Sequence, residues 1–241
     1  MIDFHTHLLP GIDDGSRDIQ TTEEMLREEQ RQGVKTVLAT PHFYASRMSV
    51  ESFLERRAEA LEKTERTRQE ADGPLPEIIP GAEVQYFQGI GEAKGIEQLC
   101  IGKTRTILVE LPFRPWDREI LQDTERLIRR QGLQVVLAHI ERYTALQRDR
   151  SVWNRMMALP LTPQINAGSF LRRGGLFHTE SVRKFSMRFL AEHPETVIGS
   201  DCHNMEDRRP DMEKARAEIS KVLGTEALRK TEEASERLIR G

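Results

Sequence analysis

The chain has 241 residues, 37% hydrophobic and 31% charged, with a formal net charge of −3; that length fits one α/β barrel or two small domains and buries a core without staples. The mild acidity excludes bulk attraction to nucleic acid, and the two cysteines, Cys100 and Cys202, exclude a disulfide framework and fit a reducing cytoplasm. No apolar run reaches the roughly 18 residues of a membrane span, and Asp3 and His5 exclude a signal-peptide start.

No linker rich in Pro, Gly or Ser, no low-complexity tract and no repeat interrupts the sequence, so residues 1–241 read as one domain. The first predicted strand carries Asp3-Phe4-His5-Thr6-His7, whose period of two puts His5 and His7 on one side and Thr6 on the other. A turn over 10–15 follows, with Asp13 and Asp14. Thr21 and Glu24 have capping-box spacing and predict a helix that Gly33 stops. A second strand over 34–39 ends in Thr40-Pro41-His42. Ser49 caps a long charged helix with Phe53, Leu54, Ala58 and Leu61 on one face, broken at Asp72-Gly73-Pro74.

The third strand, 77–84, is interrupted by Pro80-Gly81 and carries Glu83. Residues 85–104 show no decisive period. The strand over 107–111 holds Glu110, and Asp117 then caps a helix with Ile120, Leu121, Thr124, Leu127 and Ile128 on one face and Gly132 as its stop. Residues 133–138 form a continuous apolar run, suited to a parallel strand covered on both faces, and His139 follows it. A helix over 150–158, a strand over 164–168, a helix over 181–191 and a strand over 196–199 complete the alternation. The last strand ends in Ser200-Asp201-Cys202-His203, and the charge-rich residues 212–240 read as one or two solvated helices.

About seven strands alternating with helices predict a parallel sheet, open or closed into a barrel. His5, His7, His42, Glu83, Glu110, His139, Asp201 and His203 all fall at or near the C-terminal ends of those strands, which in a barrel form the catalytic rim. Each has a bland explanation when taken alone: a strand-end cap, a surface carboxylate, a core histidine. Five of the seven histidines lie at strand ends, while His178 and His193 fall in or beside helices, and chance does not readily produce that set. Five imidazoles and three or more carboxylates exceed the roughly four to six ligands of one ion and suit two or three divalent ions sharing a carboxylate. Mixed nitrogen and oxygen donors fit Mn, Fe or Zn. Such ions ionise a bridging water near neutral pH and clamp anionic oxygens, so the expected chemistry is metal-assisted hydrolysis, most naturally of a phosphoester. Cys202 and Arg208 also have the Cys-(x)5-Arg spacing of thiol-dependent tyrosine phosphatases. The residues between them, His203-Asn204-Met205-Glu206-Asp207, lack glycine and carry two carboxylates that repel phosphate.

Residues 1–15, Thr40-Pro41-His42, Pro80-Gly81-Ala82-Glu83, Val109-Glu110-Leu111, 138–143, 164–169 and 200–204 together resemble the polymerase and histidinol phosphatase (PHP) superfamily. More closely, the chain is similar to its bacterial branch of manganese-dependent protein-tyrosine phosphatases linked to capsule and exopolysaccharide synthesis. The resemblance implies an α/β fold, a distorted seven-stranded (β/α) barrel of PHP type with a trinuclear metal site at the C-terminal ends of the strands. It implies one ion on His5, His7, Glu83 and Asp201, a second on Glu83, Glu110 and His139, and a third on His42, His203 and Asp14 in preference to Asp13. Mn2+ is the expected metal.

Three divalent ions against four carboxylates leave a positive cavity suited to a phosphate dianion, and a metal-bound hydroxide is expected to attack phosphorus in line. Arg142, three residues after His139, is expected to grip the phosphate, joined by Arg208 or its neighbour Arg209. A tyrosinate leaving group, of pKa about 10, needs no dedicated acid. The implied function is a phosphotyrosine-protein phosphatase acting in the cytoplasm on a bacterial tyrosine kinase tail, without nucleic acid or membrane insertion. Loops 43–48 and 112–116 are where a peptide is expected to lie. A small-molecule phosphatase of histidinol-phosphatase type and a non-catalytic kinase-binding module are the alternatives.

Overall fold

The computed structural model describes residues 1–172 and 179–240, so His178 lies outside the described residues. Strands β1 (Ile2–Thr6), β2 (Thr36–Ala39), β3 (His42–Phe43), β4 (Glu77–Pro80), β5 (Glu83–Gln85), β6 (Thr106–Glu110), β7 (Gln134–Leu137), β8 (Thr162–Asn166) and β9 (Val197–Gly199) all pair in parallel. Helices α1 (Ile19–Arg31), α2 (Val50–Glu70), α3 (Arg118–Arg129), α4 (Arg150–Met157) and α5 (Glu180–Glu192) fall between them, and α6 (Met212–Leu223) and α7 (Thr225–Arg240) end the chain. β2 and β3 are successive pieces of one strand broken at Thr40-Pro41, and β4 and β5 are pieces of another broken at Gly81-Ala82. Joined in this way, the described segments make seven strands in the order β1, β2/β3, β4/β5, β6, β7, β8, β9. The sheet curls until its edges meet: the His7 N–H donates to the Cys202 carbonyl at 2.9 Å and the Asp201 N–H to the His5 carbonyl at 2.8 Å. The result is the distorted α/β barrel of PHP type.

Local chemistry explains most boundaries. Ser49 and Asp117 cap α2 and α3 as their positions predict, each accepting backbone N–H groups of the first turn. Helix α1 starts earlier than Thr21 and Glu24 suggest, because the Asp18 side chain accepts the Thr21 N–H at 2.8 Å and takes the cap itself. On α2 the buried face runs through Phe53, Ala60 and Thr64, and Ala58 is exposed, so the helix is turned from its expected orientation. The undecided 85–104 segment holds two short 3-10 turns, Ile90–Glu92 and Ile96–Leu99, which bury Ile90, Ile96 and Leu99.

The apolar core is split by the barrel wall. Leu38, Leu108, Val136 and Val197 belong to one buried cluster, whereas their strand neighbours Val37, Ile107, Val135 and Ile198 belong to the other, packed under the helices. This alternation is that of strands covered on both faces. The inner cluster also contains Ala234 and Leu238 of α7, and the Thr106 hydroxyl donates to the Leu238 carbonyl at 2.8 Å. The charge-rich C-terminus is therefore only half solvated: α7 turns an apolar stripe into the lower mouth of the barrel and plugs it.

β1 contains one residue more than its partner between Asp3 and Thr6, since Asp3 pairs with Val37 and Thr6 with Ala39. Such a bulge re-aims side chains. Phe4 joins the inner cluster and, directly after it, His5 turns into the cavity above, so two successive residues face inward.

Candidate metal centre

The inward positions change character from the bottom of the barrel to the top. Leu108 is followed two residues later by Glu110, Leu38 leads to His42, and Val197 leads to Asp201. Two of these strand ends require left-handed backbone: His139 has φ 31° and Asp201 φ 55°, the only non-glycine residues with positive φ among those described. Such backbone costs on the order of 1–3 kcal/mol and persists where the surroundings impose it, commonly at functional sites. Here it turns both side chains back over the barrel axis.

Glu83, 1% exposed, is the centre of the cluster. Its Oε2 lies 3.2 Å from His5 Nε2, 3.3 Å from His7 Nε2 and 3.0 Å from His42 Nδ1, and its Oε1 lies 2.9 Å from His139 Nε2. His5 and His7 bring their Nε2 atoms within 3.0 Å of each other, a contact between two lone-pair atoms that a shared proton or a shared cation makes tolerable. Glu110 Oε1 stands 3.5 Å from His139 Nε2. Asp201 Oδ1 is 3.7 Å from His5 Nε2 and 3.5 Å from His7 Nε2, and half-exposed Asp14 reaches His203 and His42 at 3.6 and 3.7 Å. All nine residues singled out as ligands in the sequence thus meet at one rim.

Three subsets have donor atoms close enough to hold an ion: His5, His7 and Glu83; His42, Glu83 and Glu110; and His7, Asp14, His42 and His203. The grouping differs from the division implied by the resemblance, since His7 reaches two subsets and His42 stands beside Glu110. The donor set fits divalent cations on a direct observation: buried His42 Nδ1 stands 3.0 Å from Glu83 Oε2 and buried His203 Nε2 3.6 Å from Asp14 Oδ1, yet neither nitrogen makes a hydrogen bond. Buried polar atoms without a partner are uncommon unless an ion or water completes them.

Charge favours the same state. Burial pushes the Glu83 carboxyl up, but the His5 and His42 charges and the hydrogen bond with His139 hold it well below the usual range. Burial opposes ionisation of Asp201 too, and Arg142 and His5 overcome it. The His203 imidazole beside it holds Asp14 low. Burial brings the His203 imidazole down to about 4, leaving it neutral and able to ligate.

A second layer orients these groups, and sequence reasoning reached little of it. Asp13 accepts from His7 Nδ1 at 2.7 Å and from the His42 N–H at 2.8 Å, which occupies it as an orienting carboxylate and turns His7 Nε2 toward the cluster. Gln164 Oε1 lies 3.2 Å from His5 Nδ1 and accepts the His139 N–H at 2.7 Å. Its amide donates to Asn166 Oδ1, and Asn166 in turn donates to Asp201 Oδ2 at 2.8 Å. Gln164 and Asn166 lie in the 164–169 stretch that carries the resemblance, but their spacing of two on a strand gave no sign of this role. Gly199 is required by close approach, because a Cβ there would sit 2.5 Å from the His5 Cβ.

Arg142 Nη2 donates to Asp201 Oδ2 at 2.8 Å and Arg208 Nη2 to Asp201 Oδ1 at 3.0 Å, so one carboxylate holds two guanidinium groups at the rim. Arg209 turns outward to the Glu206 carbonyl. Asn204 Oδ1 accepts the backbone N–H groups of Glu206, Asp207 and Arg208, and that tight turn brings Arg208 back. Cys202 faces the other way: its Sγ packs in the outer core 3.9 Å from Glu29, and burial, with the Glu29 and Asp3 charges, raises its pKa far above that of a reactive thiol.

A model of the CpsB/CapC family, described as capsular polysaccharide synthesis, matches residues 1–239. The tyrosine-protein phosphatase YwqE of Bacillus subtilis is 29% identical over 244 residues, covering 100% of this chain and 92% of its own length. The tyrosine-protein phosphatase CpsB of Streptococcus pneumoniae is 29% identical over 231 residues, covering 93% of this chain and 91% of its own. A crystal structure from work on these two proteins, described as unique metal-dependent tyrosine phosphatases, superposes with a TM-score of 0.84 over 100% of this chain and 94% of that one.

Proposed function

The chain belongs to the CpsB/CapC family of capsular polysaccharide synthesis and is a metal-dependent tyrosine-protein phosphatase, and from that premise we propose how its site works. His5, His7, Asp14, His42, Glu83, Glu110, His139, Asp201 and His203 hold two or three divalent ions, Mn2+ first among them. The observation that carries this reading is the buried Glu83 carboxylate within 3.3 Å of four imidazoles. So many buried titratable groups in one cavity are costly unless cations pair them.

Divalent ions bound there supply a water ionised near neutral pH and neutralise the phosphate oxygens. Arg142 and Arg208, fixed on Asp201, aim planar N–H forks at the same oxygens. Asp13 and Gln164 keep protons on Nδ1 of His7 and His5, so both Nε2 lone pairs face the centre. As water adds to phosphorus, the bond to the tyrosyl oxygen breaks, and the phenolate, of pKa about 10, departs without a dedicated acid.

The proposed substrate is the phosphotyrosine tail of a bacterial tyrosine kinase in the cytoplasm, with residues 1–241 acting as one unit. The β1–β9 seam and the α7 plug support the single unit, and buried, unpaired Cys100 and Cys202 support a reducing compartment. No helix among the described residues is long and apolar enough to cross a membrane. The test is turnover of a phosphotyrosine peptide and of histidinol phosphate by Mn2+-loaded and chelator-treated protein. Metal-dependent turnover of the peptide is expected, and turnover of the small phosphate alone would transfer the site to small-molecule chemistry.

A further inference from the structure

The phosphatase reading puts a phosphate at the rim, and the next inference rests on that reading: it concerns where the rest of the substrate lies. Arg142 and Phe113 stand at the rim and also line a cavity of about 630 Å3 that leads away from it, with Val182 and Phe185 of α5 on its wall. A second cavity of about 640 Å3 continues along α4 and α5 past Trp153, and the two share Arg150 and Phe185. The two adjoin at these residues, and the first begins at the catalytic centre, where Arg142 and Phe113 line it. Each part has the size that takes a ligand of several side chains.

Phe113 is 49% exposed, an unusual state for a phenylalanine beside a buried polar site. Its ring is fixed nearly parallel to that of His139, 19° apart with centroids at 5.7 Å, and stacks on Tyr143 at 5.3 Å. The ring is thus held rigid with one face available to a second aromatic group, which gains about 0.5–1.5 kcal/mol from offset stacking beyond the area it buries. Charge along the groove also selects its occupant. Arg142 is held by Asp201, Arg188 and Glu192 offset each other, and Glu141 is buried and tied to Ser169 and the Asn166 N–H, so the exposed guanidinium of Arg150, over the Trp153 ring, sets the charge of the groove.

We propose that this groove binds the peptide flanking the phosphotyrosine: the tyrosyl ring stacks on Phe113, an apolar neighbour packs between Val182 and Phe185, and acidic residues beyond it meet Arg150. The continuity of the groove with Arg142 and its basic, apolar lining select that occupant. Phe113 then also discriminates aryl from alkyl phosphates.

The test compares kcat/KM of the Mn2+-loaded enzyme for p-nitrophenyl phosphate and for a phosphotyrosine peptide with apolar and acidic residues beside the tyrosine. In the wild type the peptide is expected to be the better substrate. Val182→Asp puts a charge on the apolar wall and Arg150→Glu reverses an exposed cation; each should lower the ratio of peptide to p-nitrophenyl phosphate about tenfold. The exposed Arg150 site keeps the experiment open if the Val182 variant folds poorly. A ratio unchanged in both variants, or a wild type indifferent to the flanking residues, overturns the groove and leaves the phosphatase reading standing. Absence of Mn2+-dependent turnover of either substrate overturns the phosphatase reading itself, and the failure of p-nitrophenyl phosphate tells the two cases apart.

Discussion

The two ends of the barrel are built from the same inward-facing strand positions and filled in opposite ways. At the lower end Phe4, Leu38, Leu108, Val136 and Val197 meet Ala234 and Leu238 of the plugging helix, a hydrocarbon layer. At the upper end the same strands present Glu83, Glu110, Asp201 and five imidazoles, nearly all buried. Burying a leucine or valine side chain stabilises a fold by roughly 1.5–3 kcal/mol, whereas burying charges costs free energy unless they are paired. The lower end therefore holds the barrel closed, and the upper end, with its left-handed residues and unpartnered nitrogens, is tolerated because the lower end is so well packed.

The sharpest way to break this comparison is to disarm the upper end at its centre. Glu83→Gln keeps the shape of the side chain and removes the charge that four imidazoles share. The rate on a phosphotyrosine peptide should fall on the order of a thousandfold, equivalent to about 4 kcal/mol of transition-state stabilisation, with bound metal reduced in elemental analysis. A variant that kept both metal and rate would remove Glu83 from the centre of the site.

Disarming the lower end should do the reverse. Leu238→Ala takes a side chain out of the plug, far along the chain from every ligand, and should cost about 2–5 kcal/mol in urea unfolding. Metal content and kcat of the folded protein should stay as they were. Loss of metal at unchanged fold would mean that the two ends are coupled through the strands.

The upper end was far more legible in the sequence than the lower. Histidine and carboxylate at strand ends stand out because little else in a barrel needs them there, and Ser49 and Asp117 announce their helices because a cap is a local event. The α7 plug was hidden, since Ala234 and Leu238 lie among lysines, arginines and glutamates and only the strand ends they cover give them meaning. The β1 bulge was hidden too: a strict period of two correctly pairs His5 with His7, yet it does not show that Phe4 also faces inward. Gln164 and Asn166 stood out only as part of the 164–169 stretch, without a role, because neutral amides carry no chemistry of their own. Their role exists only where His5, His139 and Asp201 come within reach.

Protons supply the finest test of the contrast. Burial and the Arg142 charge push the His139 imidazole down, but hydrogen bonds to Glu110 and Glu83 outweigh them and hold it up at about 9 without metal, and His7 is raised well above its ordinary value despite burial, by Asp13 first. A histidine whose folded pKa lies above the unfolded value of about 6.5 contributes stability that is complete below that pH and is lost as pH rises through the folded value. Metal-free protein should therefore lose stability between pH 6.5 and about 9. His203, brought down to about 4, is neutral throughout that window and adds nothing to the slope. Metal binding has to displace the same imidazole protons, so the rise in Tm on adding Mn2+ should grow over the window in which the metal-free Tm declines. Thermal melts in chelator and in excess Mn2+ at a series of pH values measure both slopes, and a Mn2+ increment that does not vary with pH would mean that the buried imidazoles are already neutral before the metal arrives.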